Sequence, residues 1–72
     1  MSENTALDMT AEFYKDSTEE YMIGAFCVPA KRAEECIDAV GKLLCKIHKL
    51  NTVEVTLYDS AGALVEKKTV YR

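Results

Sequence analysis

Between Pro29 and Asn51 the apolar residues recur at a helical interval, and this stretch constrains the fold more than any other. Ala33, Ile37, Val40, Leu44 and Ile47 fall three or four apart, flanked by Cys36, Leu43 and Leu50. That spacing draws one broad apolar stripe down a helix. Pro29 suits the helix start, where its missing N–H costs nothing. Glu34 and Glu35 in the first turns, and Lys46, His48 and Lys49 in the last, agree with the helix dipole. Asp38 and Lys42 form an i,i+4 pair, and Asn51 is the expected C-terminal cap. The stripe places Ile47 in the core, Cys36 as a small buried hydrophobe and Cys45 at its border.

The segment after the helix, TVEVTLYDSAGALVEKKTVYR, reads as a hairpin. Val53, Val55 and Leu57 alternate with Glu54, Thr56 and Tyr58, the period of a half-buried strand. Asp59-Ser60-Ala61-Gly62 has the chemistry of a type I turn followed by a left-handed glycine and a bulge. With Asp59 facing Ala63, Leu57 falls opposite Val65 on the core side and Glu54 opposite Lys68 on the other. Tyr58, Leu64 and Val70 then stand on the outer face.

Before the helix, YMIGAFCV at 21–28 is apolar on both faces, which predicts a strand covered on both sides or paired centrally. Leu7, Met9, Ala11 and Phe13 alternate with Asp8, Thr10, Glu12 and Tyr14, as in a strand. Lys15-Asp16-Ser17-Thr18 would turn that strand into residues 19–28. The competing possibility is a short helix over 5–15. The expected class is α+β: a small antiparallel sheet with one amphipathic helix on one face, in the order ββαββ, with αβαββ as the alternative.

Seventy-two residues make a single domain, 1–72, with a marginal core. Such a chain gains from tight helix-on-sheet packing or from association with a second copy, so a homodimer is expected. The longest apolar run is too short for a membrane span, and the acidic N-terminus lacks the pattern of a secretory signal. Three cysteines at 27, 36 and 45 form no pairing framework and fit a reducing compartment, so the expected location is cytoplasmic. Charge is uneven. Residues 1–20 carry six acids against Lys15, a balance of −5, while residues 21–72 balance at +2.

Cys45 and His48 raise the question of a metal or thiol site. Nine residues of helix are two and a half turns, so Cys36 and Cys45 point in opposite directions and cannot share an ion. Cys45 and His48 alone are two ligands where a closed zinc site needs four. A thiolate–imidazolium pair would also need an orienting acid or amide and a substrate cleft, for which the sequence offers no candidates. No catalytic residue, metal ligand or cofactor is therefore expected. Lys31, Lys42, Lys46 and Lys49 make a basic stripe opposite the apolar one, the alternative being contact with nucleic acid, but Glu35 and Asp38 interrupt it.

The expectation that remains is a non-catalytic protein-binding module. Its contacts would be the acidic pole, Asp16, Glu19 and Glu20, and the outer-face set Glu54, Tyr58, Leu64, Lys68 and Val70. By analogy of size and charge alone it would be a small inhibitory or accessory factor. Phage-encoded blockers of host machinery, anti-CRISPR proteins among them, are of this kind. Such a protein would compete for a basic surface on a nucleic-acid-binding complex.

Overall fold

The computed structural model describes residues 8–72. Strand β1 spans Asp8–Tyr14, β2 spans Met22–Pro29, helix α1 spans Ala33–His48, β3 spans Thr52–Tyr58 and β4 spans Leu64–Tyr71. The four strands form one antiparallel sheet in the order β2-β1-β3-β4, with α1 packed on one face. The ββαββ order follows the hydropathy pattern. Residues 8–14 are strand rather than helix; Leu7, the first member of that alternation, lies outside the described residues.

The two turns form as their residues direct. Asp16 Oδ1 accepts hydrogen bonds from the backbone N–H and the hydroxyl of Thr18, closing the β1–β2 loop. In the β3–β4 turn Asp59 Oδ1 accepts from the N–H groups of Ala61 and Ala63. Gly62 takes a left-handed φ of 88°, a backbone conformation that costs glycine nothing. The helix ends two residues before the expected cap. Lys49, not Asn51, adopts the left-handed conformation, and the Leu50 N–H reaches the Cys45 carbonyl at 2.8 Å. This is a Schellman ending, with Leu50 tucked against the core in the accompanying apolar contact.

The second hairpin departs from its expected register. The ladder is in step at Tyr58↔Leu64, but the next pair is Leu57↔Glu66, so Val65 is an inserted bulge residue. One extra residue exchanges the faces of everything beyond it. Glu54 therefore pairs with Thr69 rather than Lys68, and Lys68 pairs with Val55 on the helix side. Val70, expected on the outer face, sits opposite Val53 in the core, both essentially fully buried. The slip buries a valine and lets Lys68 run its aliphatic stem along the sheet to Glu34 Oε1 at 2.7 Å and Asp38 Oδ1 at 3.4 Å.

Helix α1 is also rotated from its expected setting. Its buried residues are Ala33, Ile37, Gly41, Leu44 and Cys45, whereas Ile47 is 61% exposed and Leu43 55%. Cys45 is completely buried and Cys36 only half so, the reverse of their expected placement. Gly41 explains the rotation. A Cβ added there would lie 2.7–3.0 Å from the side chain of Val70. The missing side chain lets the helix lie directly on β4, and small Cys45 one turn later continues the contact, its Sγ 3.9 Å from the Val70 carbonyl oxygen. Turning the small residues inward turns Leu43 and Ile47 outward.

Candidate interaction surface

Among the described residues one helix covers one face of the sheet, and the other face carries no second layer. β1 presents Asp8, Thr10, Glu12 and Tyr14 there, β3 presents Thr52, Glu54, Thr56 and Tyr58, and β4 adds Leu64, Lys67, Thr69 and Tyr71. The register between β1 and β3 brings Glu12 beside Thr56 and Tyr14 beside Glu54. Tyr14 donates its hydroxyl proton to Glu12 Oε1. That bond to a carboxylate, reinforced by desolvation and nearby negative charge, pushes the phenol up to about 12. Thr69 donates to both oxygens of Glu54 at 3.0–3.1 Å.

The β1–β2 loop folds onto this face. Glu19 holds a positive φ of 60°, unusual for a residue with a Cβ. Its carboxylate accepts from the buried Thr56 hydroxyl at 3.3 Å and pairs with Lys67 at 3.1 Å. Glu19 is thus a latch between the loop and the sheet rather than a free contact. Asp16 and Glu20 remain exposed beside it, and the Thr18 hydrogen bonds hold the Asp16 carboxyl below its usual range. Thr10, Glu12, Tyr58, Asp59, Ser60 and Gly62 line a shallow cleft of about 390 Å³ at the turn end of the face.

The expected contact residues therefore separate. Glu19, Glu54, Tyr58 and Leu64 share the open side, Leu64 being 54% exposed opposite Tyr58, while Asp16 and Glu20 are exposed in the loop that Glu19 anchors there. Lys68 and Val70 are on the helix side and do not belong to it. Asp8, Glu12, Tyr14 and Thr56 stand on the same face, although sequence reasoning did not select them. The alternation within β1 puts 8, 10, 12 and 14 on one side; nothing local says that β1 lies against β3.

The helix lysines are exposed, but their half of the molecule is not uniformly basic. Lys42 donates to the Tyr71 carbonyl at 3.2 Å, and Glu34, Glu35 and Asp38 share the exposed side with Lys31, Lys46 and Lys49. Arg32 is paired to Glu35 at 2.9 Å. Cys45 is turned into the core while His48 is exposed, so the C-K-I-H segment gathers no site. Among the described residues no group of three or more His, Cys, Asp or Glu side chains is placed to hold a metal ion. No helix of the described residues is long and apolar enough to cross a membrane.

The chain matches no family model, and no curated protein or solved structure is significantly similar to it.

Proposed function

We propose that the protein is a non-catalytic binding module, a small inhibitory or accessory factor that works in the cytoplasm as a dimer and docks on a protein target. The observation that carries this reading is the charge of the sheet face opposite the helix. Asp8, Glu12, Glu54 and the latched Glu19 stand there with Lys67, and Asp16 and Glu20 outnumber Lys15 in the loop that Glu19 anchors. Tyr58 and Tyr71 on the same face add the aromatic content that interfaces favour. An acidic face with rigid aromatic groups is complementary to a basic surface, such as one that a target uses for nucleic acid. Three free thiols agree with a reducing compartment.

The test compares the wild-type chain with Asp8→Lys/Glu54→Lys, which changes two acids of the face and no residue of the β2 edge. Each is immobilised and challenged with nuclease-treated extract of the native host. A target retained by the wild type should associate on the order of tenfold more slowly with the variant, and the salt dependence of its association should fall. Equal retention on both removes the acidic face from the reading. Titration of duplex DNA against the free chain supplies the counter-test: binding whose log K falls steeply with log salt would assign function to the helix lysines instead.

A further inference from the structure

The sheet has two edges of different chemistry. β4 carries Glu66, Lys67 and Lys68, which protect an edge against pairing. β2, at the opposite edge, reads MIGAFCVP and contains no charged residue. Ala25, Phe26 and Cys27 are exposed in succession, so among the described residues the middle of this edge strand is uncovered on both faces and along its outer backbone groups. The large apolar side chains exposed on this side are Tyr21 (64%), Met22 (50%) and Phe26 (42%). Leu43 and Ile47 join them, since they lie on the helix flank turned away from the Gly41–Val70 contact.

Resting on the dimeric reading above, we infer that β2 pairs antiparallel with β2 of a second copy, joining two sheets into one of eight strands. A two-fold axis normal to the sheet, at Ala25 or Phe26, keeps matching faces together. It sets the two helices on the same side, with their Leu43–Ile47 flanks facing one another across the joined strands. Charge favours a copy of the same chain. The β1–β2 loop with Glu19 and Glu20 precedes β2, and Lys31 and Arg32 follow it. Antiparallel pairing brings the acidic end of each strand to the basic end of the other. At about 150–250 Å² per large side chain, the exposed fractions of Tyr21, Met22, Phe26, Leu43 and Ile47 amount to on the order of 500 Å² of apolar surface per copy, near the ~600 Å² per partner of the smaller specific interfaces. The outer edges of the joined sheet are then two β4 strands, whose charges stop further growth.

The full chain is measured by sedimentation equilibrium over a concentration series, with far-UV circular dichroism as the control for folding. The wild type should approach about 16 kDa, twice its 8.1 kDa. Ala25→Lys should weaken association at least ~10-fold, as expected for a charge on a pairing edge. Glu20→Lys and Lys31→Glu should each weaken it, and the double variant should recover it. A wild type that stays at 8.1 kDa throughout overturns the inference and the dimeric reading together. A dimer unaffected by Ala25→Lys overturns the β2 interface alone. If Ala25→Lys does not fold, hydrogen exchange of the wild type decides: protection that grows with concentration over 22–28 supports the pairing, and growth confined to 64–71 refutes it.

Discussion

The two flanks of α1 meet opposite edges of one sheet, and they are built by opposite rules. On the β4 flank the helix uses small residues, Gly41 and Cys45, and closes down on Val70 until there is no room for a methyl group. Ion pairs from Lys68 to Glu34 and Asp38 seal the rim, and Lys42 holds the end of β4. On the β2 flank the helix carries large residues, Leu43 and Ile47, and they stay in solvent above a strand that is itself exposed. The lesson is that side-chain size, not hydrophobicity alone, chose which apolar flank went inside. Close approach gains contact with the C-terminal half of β4, from Lys68 to Tyr71, which outweighs burying two larger side chains at the cost of a wider gap.

The sharpest way to break this comparison is to truncate the same residue type on the buried and the open part of the helix. Ile37→Ala removes a fully buried side chain and should cost about 2–5 kcal/mol in urea unfolding. Ile47→Ala, ten residues later on the same helix, should cost less than ~0.5 kcal/mol at concentrations where the chain is monomeric. Equal costs would mean that the helix is not rotated as described.

Adding volume on the tight flank should have the next largest effect. Gly41→Ala gains helix propensity of about 1 kcal/mol, yet its Cβ would meet Val70 at 2.7–3.0 Å with no flexible chain end to yield. The overpacking cost of ~1–3 kcal/mol should leave the variant destabilised or at best neutral. In a Val70→Ala background Gly41→Ala should instead stabilise by about 1 kcal/mol relative to Val70→Ala alone, and a Gly41→Ala single variant more stable than wild type would refute the close contact.

The smallest effect is confined to alkaline pH. The Tyr14 phenol is raised to about 12 in the folded state, from a normal value near 10. The folded chain therefore holds a proton that the unfolded chain has lost. The associated stability is complete below pH ~10 and falls as pH rises from there to about 12. Lys68, raised by its bond to Glu34 against some desolvation, loses its contribution in the same direction above its ordinary value. Tyr14→Phe should flatten the decline in thermal midpoint over this range, and Lys68→Met should flatten it less. An unaltered slope in Tyr14→Phe would sever the Glu12–Tyr14 link.

Part of the interaction surface was legible in the chain. Asp16, Glu19 and Glu20 fall together because they share one loop, and Glu54 and Tyr58 because they alternate along one strand. Lys68 and Val70 were misassigned because a single bulge residue, Val65, follows a turn whose chemistry was read correctly. Glu12 and Thr56 were missed because their adjacency depends on β1 pairing with β3, more than forty residues on in sequence.

Local pattern determined what each segment is. The 3.6-residue period made α1, the two-residue period made β1 and β3, and Asp16, Asp59 and Gly62 made the turns, since these depend on neighbours within a few bonds. Tertiary structure decided which flank of the helix is inside, which register β4 adopts and which strand lies at the edge. Those choices compare packings between segments distant in the chain, so a periodicity cannot record them. β2 shows this most plainly: its apolar sequence predicts a strand covered on both sides or paired centrally, but β1 pairs with β2 on one side and β3 on the other, which leaves β2 at the rim.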